Sequence, residues 1–316
     1  MINDTHLHIG LNNWTEEALI RYLDEHNINK GWVLTWDELN PTAPGYYQAL
    51  DIDMVRRAYK NYPDRIVPFY APDPGRKDWK QRLSDCLDEG FKGCGELKVA
   101  YRWNDPRMIP LLEFLDQHKL PLVFHMERAR NIFIPKKDRG VDWLFKRLIN
   151  ERFNGRSARI IHRLPAVTGL LKTYLEKRER SFPGYLLDIE ELSAAAKRYA
   201  QIRFIAHGPH IWNHFSLQRE TDLFLQKGKY RGKGELWKLL KDHPNIYCDL
   251  SGLSGFTALT RNRNASKEFL DQFHKKLLFG TDNMDLGLLD FIQNIGIEED
   301  KLQNILFHNS EEILRN

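Results

Sequence analysis

Cysteine is nearly absent from this 316-residue chain: Cys86, Cys94 and Cys248 are the only three, and no two form a C-x-x-C pair. That excludes a disulfide scaffold and a structural zinc held by thiolates. An odd, sparse set suits a reducing compartment, where a free thiol packs as a small apolar group. No run of 18 apolar residues exists, so no segment reads as a membrane span. The opening Met1-Ile2-Asn3-Asp4-Thr5-His6 has neither the charged nor the apolar stretch of a secretory signal. With Met1 as the native start, a cytoplasmic protein is expected. A large excess of one charge is also missing. Lys and Arg number 47 against 43 Asp and Glu, a net +4, so nucleic acid is not an expected partner. The Gly-rich stretch Lys227–Gly234 lacks the Walker spacing and a strand before it, which argues against a nucleotide cradle.

What the chain does have is a regular alternation of short apolar runs with amphipathic stretches. Strands are expected near Ile2–Ile9, Gly31–Trp36, Ile66–Ala71, Gly93–Val99, Pro121–Met126, Phe204–His207, Ile246–Leu250 and Leu277–Thr281. Helical patterns lie between them. Thr15–His26 has Thr15 as N-cap and Ala18, Leu19, Tyr22 and Leu23 on one face. Asp105-Pro106 reads as a cap followed by a first-turn proline, and Gly90 stands where a C-terminal left-handed residue belongs after Asp78–Glu89. A strand–helix unit repeated eight times predicts an α/β fold, a (β/α)8 TIM barrel, because the count closes.

The fifth and sixth strands are separated by far more chain than one βα unit needs. The surplus predicts a basic helical insertion, residues 129–184, in an otherwise single barrel domain spanning 1–316. Helical patterns within it cover Val141–Arg152 and Val167–Arg180. Residues 128–180 carry 15 Lys and Arg against 5 Asp and Glu, a local +10, while the rest of the chain sums to −6.

Chemistry concentrates at strand ends. In Asp4-Thr5-His6-Leu7-His8, alternation turns Asp4, His6 and His8 one way and Leu7 the other. Two imidazoles about 7 Å apart along a strand can converge on one metal ion. An isolated H-x-H is more often a pair of hydrogen-bonded core histidines. Here, however, three further apolar strands end in metal-competent side chains: Leu122-Val123-Phe124-His125, Phe204-Ile205-Ala206-His207 and Leu278-Phe279-Gly280-Thr281-Asp282. At the C-terminal face of a barrel these would meet over one site.

Taken with the terminal Ile305-Leu306-Phe307-His308-Asn309-Ser310-Glu311, this order of motifs resembles the amidohydrolase superfamily over the whole chain. The likeness is to its amidohydrolase-related branch, which includes aminocarboxymuconate-semialdehyde decarboxylase. The resemblance implies metal ligands at His6, His8 and His125, with Asp282 touching the metal and moving protons. It implies that His207 orients substrate or binds a second metal. Asp4 is expected to fix one of the imidazoles.

Strand four leaves alternatives open. Glu96 and Lys98 share a face in Gly93-Cys94-Gly95-Glu96-Leu97-Lys98. Glu96 resembles the metal-holding glutamate of TatD-type deoxyribonucleases, and Lys98 the carbamylated lysine of two-metal amidohydrolases. The other reading is a Glu96–Lys98 ion pair, or Lys98 binding a substrate carboxylate. Arg128 and Arg163, with Arg159 and His162, are candidate anion clamps; a solvated face or subunit contact is the competing reading. Glu127 reads as a substrate contact or rim residue. Asp249 and Ser251 read as possible site lining, and His210 and Trp212 as loop residues that pack. His26, His118, His243, His274 and His308 read as surface residues. The expectation is a metal-dependent hydrolase with one or two divalent ions, zinc first, acting on a small anionic substrate. A non-oxidative decarboxylase and a TatD-like nuclease are the alternatives, and a homo-oligomer remains open.

Overall fold

The computed structural model describes residues 1–11, 14–37, 49–133, 179–186, 188–217, 225 and 228–315. All eight expected strands form. They are β1 (Asn3–Leu7), β2 (Lys30–Trp36), β3 (Ile66–Ala71), β4 (Cys94–Leu97) and β5 (Pro121–His125). After an antiparallel pair of β6 (Arg130–Phe133) and β7 (Glu179–Phe182) come β8 (Arg203–His207), β9 (Ile246–Asp249) and β10 (Leu277–Leu278). The eight barrel strands pair in parallel, as β1-β2-β3 and β4-β5-β8-β9-β10.

Hydrogen bonds join the two sheets at both edges. Lys92 N–H reaches the Pro68 carbonyl at 2.9 Å and Tyr70 N–H the Gly93 carbonyl at 3.3 Å. On the other side Thr5 N–H reaches the Phe279 carbonyl at 2.9 Å and Asp282 N–H the His6 carbonyl at 2.8 Å. Inward residues from both sheets (Trp32, Leu34, Val67, Phe69, Val123, Ile205 and Leu278) form one apolar cluster. The ring therefore closes as a filled (β/α)8 barrel. A larger apolar layer, with Leu7 and Val33 against Leu19 and Leu23, lies between strands and helices.

The helices are α1 (Glu16–Glu25), α2 (Ile52–Asn61), α3 (Trp79–Asp88), α4 (Met108–Gln117), α5 (Ile189–Arg198) and α6 (Pro209–Asn213). They continue with α7 (Glu235–Asp242), α8 (Gly252–Thr260), α9 (Arg263–Phe273), α10 (Leu288–Gln293), α11 (Glu299–Gln303) and α12 (Asn309–Leu314). Thr15 caps α1 as expected, its hydroxyl accepting from Ala18 N–H at 3.2 Å. Gly90, at φ +102°, follows α3. The start of α4 differs from expectation. The Asp105 carboxylate closes a local turn onto Arg107 N–H at 2.9 Å and pairs with the Arg107 side chain, so the helix begins at Met108. None of the described helices is long and apolar enough to cross a membrane.

The chain separates into two compact units: Met1–Leu39 with Tyr47–Arg128 and Gly184–Asn316, and Asn40–Tyr46 with Ala129–Pro183. The second unit joins Ala129–Pro183 to Asn40–Tyr46, whereas the insertion expected from the sequence is 129–184 alone. Its expected helix over Val167–Arg180 needs correction at the end, because Glu179 and Arg180 belong to β7, paired antiparallel with β6. The rest of that helix and the one over Val141–Arg152 lie outside the described residues.

Candidate metal centre

β1 runs into His8, and the alternation turns the imidazoles of His6 and His8 away from the layer that takes Leu7. Both are fully buried. Their Nε2 atoms lie 3.1 Å apart. Glu96 Oε2 of β4 stands 3.4 Å from His6 Nε2 and 3.5 Å from His8 Nε2. Asp282 Oδ1, just past β10, stands 3.3 Å from His8 Nε2 and 3.8 Å from His6 Nε2. Ligand atoms about 2.0–2.2 Å from a shared ion stand roughly 3.0–3.6 Å from one another, which is close to this spacing.

The other nitrogen of each ring decides what the cluster can hold. His8 Nδ1 lies 2.9 Å from the Leu34 carbonyl, which only accepts, so Nδ1 carries the proton. His6 Nδ1 donates to the Asp249 carboxylate in a short bond. With each ring protonated on Nδ1 alone, both Nε2 atoms present lone pairs to each other and to two carboxylate oxygens. Four converging acceptors repel unless a cation stands among them; a second proton on His6 or a metal ion answers that need. Lys98 Nζ touches Glu96 Oε2 at 2.8 Å, yet this buried oxygen has no well-directed hydrogen bond. The donor set fits a divalent ion.

The electrostatics agree. Burial alone would lower the His6 imidazole, but the carboxylates of Asp249 and Glu96 hold it well above the ordinary histidine range. Burial would raise Glu96, but Lys98, His6 and His125 keep it well below the carboxylate range. Asp282, half-buried, is kept low by His8, His6 and His207. The site attracts positive charge and keeps its carboxylates ionised.

Glu96 turns its other oxygen to a second group. Oε1 is 2.7 Å from His125 Nδ1 and 3.8 Å from His207 Nε2. His207 Nδ1 is engaged by Ser251 Oγ at 3.0 Å and by Asp249 Oδ2 at 3.4 Å. His125 Nε2 meets Glu127 Oε2 at 3.1 Å. One carboxylate therefore lies between His6, His8 and Asp282 on one side and His125 and His207 on the other. The family resemblance implies a group of His125 with His6 and His8. In the fold β5 pairs with β8, with His125 directly opposite His207. Glu96, with its longer side chain, is the residue that reaches His6 and His8.

All six expected ligands thus come together. Other expectations shift. Asp4 does not hold an imidazole. Its carboxylate accepts from Thr281 Oγ1 at 2.6 Å, Tyr22 Oη at 2.9 Å and His6 N–H at 3.0 Å, tying β1 to the loop that carries Asp282. Burial pushes its pKa up to about 6 despite those donors. Lys98 is buried, paired with Glu96, and its Nζ lies 3.5 Å from the Trp36 ring centre. Arg128 is half-buried; burial and then its charge lower nearby His214 to about 4. Among the described residues Arg128 makes no ion pair with the six donors. Arg163, Arg159 and His162 lie outside the described residues. Glu127 is not a rim residue but fully buried against His125. His210 and Trp212 lie on the short helix α6, both buried. His243 is buried too, bonded to Ser193 Oγ at 2.7 Å.

Asp249 is the residue whose weight the sequence reading missed. It ends β9, and the criterion that singles out His125 and His207, a metal-competent side chain closing an apolar strand, applies to it as well. It is fully buried and holds the rings of both His6 and His207.

A family model described as amidohydrolase matches residues 4–313. The chain belongs to the amidohydrolase family. No curated protein matches it in sequence. Among solved structures it is similar to an uncharacterised TIM-barrel protein from Bordetella bronchiseptica, 13% identical, covering 99% of this chain and 98% of that one with a TM-score of 0.60. A probable 2-pyrone-4,6-dicarboxylic acid hydrolase from Acinetobacter baumannii, solved with citric acid bound, is 14% identical over 99% and 98% of the two chains, TM-score 0.57. A 5-carboxyvanillate decarboxylase from Sphingomonas paucimobilis is 13% identical over 99% and 98%, TM-score 0.53. These likenesses establish the barrel fold. In this amidohydrolase the donors stand on or just past β1, β4, β5, β8 and β10, at the C-terminal ends where barrel enzymes carry their chemistry.

Proposed function

We propose that this amidohydrolase is a metal-dependent hydrolase that cleaves an amide, ester or lactone bond in a small anionic substrate. The observation that carries the reading is the convergence of His6 Nε2, His8 Nε2, Glu96 Oε2 and Asp282 Oδ1 on one point, a set that calls for positive charge among them. These residues would hold one divalent ion, and Glu96 with His125 and His207 a second. Zinc is the expected ion, since imidazole and carboxylate are among its preferred ligands. Such an ion lowers the pKa of water to roughly 7 and polarises a carbonyl. Asp282 accepts the proton of the attacking water and returns it to the leaving amine or alcohol. With one ion bound, His207 is left to orient the substrate oxygen under attack. Lys98, buried beside Glu96, supplies positive charge for an anionic substrate.

Non-oxidative decarboxylation is the second reading, favoured by the decarboxylase among the structural relatives. The two are separated by labelled water. With metal-replete protein and a panel of lactones, amides and aromatic acids, hydrolysis puts oxygen-18 into the acid product. Decarboxylation releases carbon dioxide and leaves no label in the organic product. Dialysis against a chelator is expected to abolish turnover and re-addition of the metal to restore it. Full turnover in protein stripped of metal would overturn the proposal.

A further inference from the structure

Trp36 ends β2 on the same side of the strand as Trp32 and Leu34, which belong to the inner cluster of the barrel. Its ring lies edge-on to His8, with centroids 5.1 Å apart, and Lys98 Nζ stands 3.5 Å from its centre. The residue is 2% exposed. Its indole N–H has no hydrogen-bond partner among the described residues. Leaving a buried donor unpaired is costly, and such a group calls for a reason. Trp32 and Trp103 also carry unpartnered indole N–H groups, but those rings pack on Phe69 and on Phe124 and Phe204. Among the described residues, Trp36 is the one of the three with a cation against its ring and a metal-site imidazole at its edge.

We propose that the Trp36 indole N–H and the Lys98 ammonium form the subsite that receives a carboxylate of the substrate. This rests on the proposal of a small anionic substrate and names the side chains that recognise it. The indole donates one hydrogen bond to a carboxylate oxygen, and the ammonium meets its charge. Lys98 shares Glu96 Oε2 with His6 and His8. A neutral amide can accept from the indole but cannot answer the charge, so the pair selects acids over their amides.

The test uses the full chain loaded with zinc and three plain probes, benzoate, isophthalate and neutral benzamide, followed by calorimetry. Benzoate is expected to bind wild-type protein more tightly than benzamide. Trp36→Phe keeps an aromatic face for Lys98 and removes the N–H. It is expected to weaken benzoate roughly tenfold, as for one hydrogen bond to a charged acceptor, with the metal content unchanged. Unchanged benzoate affinity in Trp36→Phe overturns the subsite and leaves the anionic-substrate reading standing. A wild-type protein that binds neither carboxylate overturns both. If the variant does not fold, wild-type protein with nitrogen-15 in its indoles answers the question. The Trp36 N–H resonance moves downfield on adding benzoate if the subsite is real, and a stationary resonance overturns it.

Discussion

Asp249 engages Nδ1 of His6 and, beside Ser251, stands near Nδ1 of His207, so this carboxylate helps set which nitrogen of each ring faces Glu96. Asparagine would keep the shape but could offer an N–H instead, and the rings could then take the other tautomer. Asp249→Asn is expected to weaken metal affinity about 10–100-fold, measured by competition with a chelator. Equal affinity would mean that some other group selects the tautomers. The two sides of Glu96 can be told apart in the same way. Elemental analysis of His8→Ala should show loss of the ion shared with His6 and Asp282. His125→Ala should keep that ion and lose only the one shared with His207. Asp282→Asn should lower kcat about 10²–10⁴-fold, the usual worth of a positioned proton carrier, while the fold is retained. Wild-type turnover in that variant would place the proton carrier elsewhere.

At the level of elements, the site depends on how each strand hands over to the helix or loop beyond it. Gly208 carries the chain from His207 into α6 at φ +98°, and a Cβ there would stand 2.6 Å from the Met126 carbonyl. Gly208→Ala combines a strained backbone, about 1–2 kcal/mol, with a clash against main chain. Its melting temperature should fall by at least several degrees, and metal bound by His207 should fall with it. A thermal scan and metal analysis of one preparation check both. The terminal segment has an equally local task. Asn309 donates to the carbonyls of His274 and Leu277, and Asn3 donates to Ser310 and Glu311, so α12 is tied to the strands on either side of the closure. In the sequence this segment is recognisable only by resemblance; its hydrogen bonds give it a physical reason.

At the scale of the whole molecule, charge is unevenly distributed along the chain. Residues 128–180 sum to +10 and the remainder to −6. If this segment takes part in capturing an anionic substrate, that attraction is screened beyond about 8 Å at physiological ionic strength. The kcat/KM is therefore expected to fall as salt rises, mainly through the association rate, in a steady-state series at fixed pH. A rate indifferent to salt would remove the segment from substrate capture.

The barrel was legible in the sequence because period-two alternation and strand-ending histidines are local properties, set within a few residues of each other. His6, His8, His125, His207 and Asp282 declare themselves that way, and so do the cap on α1 and the left-handed turn at Gly90. What required the tertiary structure was every question about neighbours across the ring. Alternation assigns a side chain to a face but says nothing of which strand stands opposite it. Hence Glu96 rather than His125 completes the group at His6 and His8, and Asp4 braces the backbone where an imidazole contact was expected. Tautomers were out of reach for the same reason. The partners that set them, Leu34 for His8 and Asp249 for His6 and His207, lie on other strands, brought near only when the ring closes.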